Sequence, residues 1–70
     1  MKRIVVTYNF QYRLKDGSPS GMVCGMDIFR MEGLARVDQW NELIENITNT
    51  HPEIIPNTIC VLYTKELLNT

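Results

Sequence analysis

Seventy residues make one domain, and a composition of 44% hydrophobic and 21% charged residues with a formal net charge of −1 is that of an ordinary globular protein. That balance excludes the clear basic excess of a general phosphate binder and the acidity of a nucleic-acid mimic. A chain this short buries only roughly 60% of the surface its unfolded form exposes. Domains of this size often recruit a disulfide, a metal or a second subunit, and a net charge near zero does little to oppose self-association.

The N-terminus runs from Met1-Lys2-Arg3 straight into a strand-like stretch, Arg3 to Arg13. The apolar run after the basic pair, Ile4-Val5-Val6, is too short for a signal-peptide core, and no stretch approaches the roughly 20 apolar residues of a membrane span. A cytoplasmic protein without membrane contact is expected. In the strand the even positions are Ile4, Val6, Tyr8, Phe10 and Tyr12; the odd ones are Val5, Thr7, Asn9, Gln11 and Arg13. This period-two alternation, rich in β-branched and aromatic residues, predicts one buried and one water-facing side.

Leu14 to Gly21 follows as a hairpin loop, with Asp16-Gly17 as its turn and Pro19 and Gly21 blocking regular continuation. A return strand is predicted over residues 21–31, with Met22, Cys24, Met26 and Ile28 toward the core and Val23, Phe29 and Met31 outward beside Val5. Gly25 within it suggests a bulge or a close approach by another backbone. A helix is predicted over 38–49, capped by Asp38, with an apolar stripe of Val37, Trp40, Leu43, Ile44 and Ile47. Gln39, Asn41, Glu42, Glu45 and Asn46 form its wet face, and His51-Pro52 ends it. The run Thr58 to Thr64 is almost wholly apolar and reads as a strand buried on both faces or central in its sheet. Residues 65–70 are expected as a helical turn or a frayed continuation. The whole is α+β: β-β-α-β, a three-stranded, mainly antiparallel sheet with one helix packed on one face.

Chemistry-bearing residues are sparse. His51, the single histidine, lies between a helix end and a proline, with no nucleophile or paired carboxylate at motif spacing; a surface or capping role is expected. Cys24 and Cys60 read as buried thiols, and a disulfide between them requires neighbouring strands and an oxidising compartment. Two cysteines and one histidine do not complete a four-ligand zinc site. Gly17 to Gly21 lacks the lysine and following helix of a phosphate loop. No enzyme activity, cofactor or metal is expected.

Two readings of function remain. Tyr8, Phe10 and Tyr12, flanked by Arg13, Lys15 and Arg30, would stack single-stranded bases if the rings are open to solvent. The same stripe is the natural bed for the helix, and that reading is preferred. A small non-enzymatic protein-binding module is then expected, acting as an inhibitor or adaptor on the surface of a larger protein, with a homodimer as a second form of association. The residues expected to meet the partner are Asn9, Gln11 and Arg13 on the strand, Lys15 and Asp16 on the loop, and Phe29 and Arg30 opposite. In size and in want of a motif the chain resembles accessory and inhibitor proteins carried by phages and other mobile elements, a resemblance that no residue pattern carries.

Overall fold

The computed structural model describes residues 1–67. It contains β1 (Lys2–Phe10), β2 (Val23–Met31), the helix α1 (Val37–Thr50), one 3₁₀ turn at Pro56–Thr58, and β3 (Cys60–Leu67). The strands form one antiparallel sheet in the order β2-β1-β3. This is the expected α+β arrangement. β1 pairs along both edges, so β2 and β3 run parallel to each other with β1 between them, and α1 lies in the crossover that such strands require. The first strand, expected to run to Arg13, ends at Phe10; beyond it Tyr12 and Arg13 make only isolated bridges, to Ile54 and Pro19. The expected tail enters β3 as far as Leu67, and residues 68–70 lie outside the described residues.

The even residues of β1 are buried as expected: Ile4, Val6 and Tyr8 join Met31, Leu43, Ile47 and Ile54 in the core, with Phe10, Phe29, Leu34, Ile59 and Val61 packed around them. Burial of these side chains contributes on the order of 25 cal/mol for each Å² of apolar surface withdrawn from water. The molecule is long for its mass. Its radius of gyration is 12.7 Å, against about 11 Å for a compact 70-residue domain. The run from Lys2 to the turn at Leu14, about 40 Å at the usual strand rise, accounts for the 43 Å long axis.

The faces of β2 are the reverse of the expectation. Ile4 stands opposite Phe29, Val6 opposite Asp27 and Tyr8 opposite Gly25, so Gly25, Asp27, Phe29 and Met31 face the core and Met22, Cys24, Met26 and Ile28 are exposed. The cause lies in the hairpin. Its tip is closed by Leu14 N–H donating to Ser18 O (2.9 Å), Ser20 N–H donating to Tyr12 O (2.8 Å) and the pairing of Arg13 with Pro19. Extended unchanged, that register would pair Phe10 with Met22 and bring the even residues of both strands to one face. Phe10 instead pairs with Val23. Between the tip and the sheet, three residues on the return arm, Ser20 to Met22, therefore oppose two on the outgoing arm, Gln11 and Tyr12, and this one-residue bulge turns over every side chain that follows. Ser20 holds the bulge: its buried hydroxyl accepts from Tyr12 N–H (2.9 Å) and donates to Gly21 O (2.8 Å), while Gln11 Nε2 donates to Ser20 O (3.0 Å). Gly17, at φ +87°, supplies the left-handed residue of the tip.

Gly25 is explained by side chains rather than by another backbone. A Cβ there would lie 2.9 Å from Phe10 Cε1 and 3.4 Å from Tyr8 Cζ, so the two tilted rings, 5.5 Å apart between centroids, occupy the space over the glycine.

β3 is an edge strand rather than a central or doubly buried one, because the crossover carries the chain past β1 to its free side. With one helix covering one face, part of the apolar run must face outward; Leu62 and Tyr63 are both more than half exposed. A second irregularity contributes. Thr7 pairs with Tyr63 and Tyr8 with Val61, leaving Leu62 as an extra residue. Cys24 and Cys60 are exposed free thiols rather than buried ones. Both pair with Asn9, from opposite sides of β1. Two strand spacings of about 4.8 Å separate them, beyond the roughly 7 Å that a disulfide spans.

The helix begins one residue earlier than expected, with Arg36 rather than Asp38 at the N-cap. Gln39 is the reason. It is buried rather than on the wet face, and its Oε1 accepts from Ala35 N–H (2.8 Å) and Arg36 N–H (3.1 Å), satisfying donors at the helix entrance. Asp38 sits in the first turn, 3.1 Å from Arg36 Nε. Of the expected stripe, Leu43 and Ile47 are buried and Ile44 half-buried, whereas Val37 is exposed and Trp40 rests at the rim, donating through Nε1 to Leu34 O (3.0 Å).

The reversed faces have a direct check in equilibrium unfolding of dilute protein. Met31→Ala should cost about 2–5 kcal/mol, while Met26→Ala, on the exposed side of the same strand, should change stability by no more than about 0.5 kcal/mol. The opposite ranking would mean that the bulge is absent.

Candidate protein interface

Two constellations stand out, one on each face of the sheet. On the inner face, β1 supplies Tyr8 and β2 supplies Asp27, two residue pairs apart along the ladder, and the end of α1 brings in His51. The Tyr8 hydroxyl donates to Asp27 Oδ2, and His51 Nε2 lies 3.1 Å from that oxygen and 3.3 Å from Oδ1. A carboxylate that already accepts from a phenol can only accept from the imidazole, so the proton is on Nε2. His51 Nδ1 lies 3.8 Å from Glu53 Oε1, and the His51 backbone N–H donates to Ile47 O (3.0 Å). The histidine thus caps the helix, as expected, and also ties its end to β2. Tyr8 is only 1% exposed; its burial, then the adjacent Asp27, hold the phenol well above its ordinary titration range.

The outer face has no helix over it. Its cross-strand rows run Arg30–Arg3–Leu67, Ile28–Val5–Lys65, Met26–Thr7–Tyr63 and Cys24–Asn9–Cys60. Met26 is 67% exposed, Ile28 55% and Tyr63 56%. An antiparallel sheet facing water ordinarily shows polar side chains there, so this apolar centre is informative. Among the described residues the face carries the cations Arg3, Arg30 and Lys65 and no carboxylate: the strands' acidic residues, Asp27 and Glu66, pair with Val6 and Ile4 and so point to the other side. Glu66 there meets Lys2 Nζ at 3.1 Å. The near-neutral total charge conceals this separation.

The residues expected to meet a partner are dispersed. Asn9 and Arg30 lie on the outer face, Asn9 half-buried in the row between the two cysteines. Arg13 and Lys15 are exposed along the hairpin, beyond the sheet. Asp16 caps the tip, its Oδ1 accepting from Ser18 N–H (3.0 Å) and Ser18 Oγ (2.6 Å), bonds that hold its carboxyl below the usual range. Gln11 is half-buried with its amide engaged in the bulge. Phe29 packs against the core rather than standing outside with Val5. Sequence reading missed Met26, Ile28, Tyr63 and Lys65, because it placed the first two inside and gave β3 two covered faces. The Asp27–His51 contact had no local signal, since the residues stand 24 apart in the chain.

Of the aromatic stripe, Tyr8 is buried beneath the helix layer and Phe10 and Tyr12 are half-buried. Comparison with known protein families, curated proteins and solved structures found no match to this chain. Among the described residues no three histidine, cysteine or acidic side chains converge as metal ligands, and no helix is long and apolar enough to cross a membrane.

The raised phenol gives the cluster a signature in pH. A proton that stays on folded Tyr8 but leaves the unfolded chain near pH 10 means that the folded state binds more protons above that pH, so its stability falls as pH rises through the alkaline range. Tyr8→Phe should flatten this decline relative to the unsubstituted protein, by up to about 1.4 kcal/mol per pH unit above 10. Parallel stability curves for the two proteins would show that the hydroxyl is not held as described.

Proposed function

We propose that this chain is a small non-enzymatic protein-binding module, an inhibitor or adaptor that works in the cytoplasm by laying the open face of its sheet on a larger protein. The observation that carries the reading is that face: Met26, Ile28 and Tyr63 exposed together around Val5 and Thr7, with Arg3, Arg30 and Lys65 at one end. An apolar centre supplies most of the gain on association, and charges at its margin steer encounter and select the partner. The complementary surface is an apolar patch bordered by carboxylates. Arg13, Lys15 and the hairpin tip extend past the sheet and add a second point of contact.

Base stacking requires Tyr8, Phe10 and Tyr12 as an open platform, and the burial of Tyr8 weighs against it. Small inhibitors of the kind carried by mobile elements need no cavity or cofactor, only a surface shaped to a target, and the outer face offers one.

The test is capture of partners from the native host by the tagged protein and by a Tyr63→Asp/Lys65→Glu variant, with circular dichroism to show that the variant keeps its fold. A stoichiometric protein partner held by the unsubstituted chain should bind the variant at least tenfold more weakly, and its binding should fall as salt rises. Equal capture by both proteins would remove the outer face from the interaction, and nuclease-sensitive capture without a protein would replace the reading with nucleic-acid binding.

A further inference from the structure

The two edges of the sheet differ in how they are guarded. β3 is interrupted by the extra residue at Leu62 and carries exposed Lys65, two devices that discourage a further strand from pairing. β2 has neither. It pairs with β1 without a break from Met31 opposite Lys2 to Val23 opposite Phe10, and it contains no proline and no lysine. Apart from the ladder to β1, the backbone of Val23–Met31 makes no hydrogen bond among the described residues. Every second residue therefore presents an N–H and a C=O sideways to solvent, along a nine-residue strand whose outward side chains include Cys24, Met26 and Ile28.

We infer that a second copy of this chain pairs with this edge, β2 against β2, to give one continuous six-stranded sheet. A twofold axis perpendicular to the sheet makes the new pairing antiparallel and keeps both helices on the same side. Residues directly opposite must then face the same way, so an outward residue meets an outward one.

The register centred on Met26 suits the strand best. It places Met26 beside Met26 of the second copy, Cys24 beside Ile28 of the second copy and Arg30 beside Met22 of the second copy, so the middle of the outer row is apolar and charge enters only at its ends. On the inner side it sets Asp27 beside Gly25 of the second copy. The register centred on Asp27 would instead oppose two carboxylates, which is unfavourable. The antiparallel sense also carries the two Arg30 side chains to opposite ends, about 27 Å apart at the usual rise and well beyond screening distance. A parallel arrangement would align them. The small core and near-neutral charge favour the same outcome: the pairing satisfies exposed backbone groups and adds apolar contact at little electrostatic cost.

The pairing does not depend on what the outer face binds. It does join the two outer faces side by side, so a dimer presents two copies of the proposed surface in one plane.

Sedimentation across a wide concentration range, with amide hydrogen exchange on the same samples, tests the pairing. The mass should rise with concentration from 8.1 kDa toward twice that value, while alternate amides of Val23–Met31 gain protection. In a background of Cys24→Ser/Cys60→Ser, Met26→Cys should cross-link two copies under mild oxidation and Arg30→Cys should not. Ile28→Lys should hold the chain at monomer mass with unchanged circular dichroism. Tyr63→Asp/Lys65→Glu, which tests the outer face, should leave the mass unaffected, so the two readings fail separately. A single 8.1 kDa species at every concentration, or a dimer whose new protection falls on β3, would overturn the inference.

Discussion

One extra residue between Ser20 and Val23 decides what each face of the sheet carries. The tip of the hairpin and the body of the sheet are each regular, but their registers differ by one, and the difference is absorbed where Ser20 is buried with its hydroxyl and carbonyl both bonded. A side-chain period of two makes such a shift absolute: no residue of β2 stays on the face that the tip would have assigned to it. The core receives Phe29 and Met31, and water receives Cys24, Met26 and Ile28. The apolar centre of the open face descends from that single step.

The same shift brings an ionisable residue inward. Asp27 enters the core face opposite Val6, where an unpartnered carboxylate would be costly. Tyr8 and His51 answer it, the first from the neighbouring strand and the second from the end of the helix. Helix position and sheet register are coupled through this carboxylate, because His51 also closes the last turn of α1 through its backbone. At the opposite end Gln39 performs the corresponding service, satisfying the donors of the helix entrance from a buried site. The helix is held at both ends by polar side chains and along its middle by Leu43 and Ile47. That leaves Trp40 and Val37 outside the core.

With one helix for three strands, this architecture covers one side of the sheet and leaves the other bare. Charge follows the same division, the acidic strand residues Asp27 and Glu66 turning inward and Arg3, Arg30 and Lys65 outward. A surface that is apolar in the middle and cationic toward one end is suited to a protein target with the opposite pattern. An unguarded edge alongside it extends rather than competes with that surface. Both features concern association, and both belong to backbone and side chains already ordered in the single chain, so little conformational entropy stands against binding.

The sequence by itself determined the elements and their order: the alternation of β1, the turn at Asp16-Gly17, the helical recurrence around Leu43 and Ile47, and the proline-bounded return to β3 are all local patterns with local causes. It also identified Ile4, Val6 and Tyr8 as core, because β1 alternates cleanly and holds the centre of the sheet. What it left undecided is relational. Each face of β2 carries apolar residues, so the pattern of that strand is nearly symmetric and only the length of the connection to β1 could choose between them. The apolar run of β3 is equally compatible with a central or an edge position, and the path of the crossover made it an edge. Asp27 and His51 acquire their roles only when two strands and a helix end meet. Tertiary structure decided these points because each depends on which backbone lies alongside, a relation that no window of neighbouring residues contains.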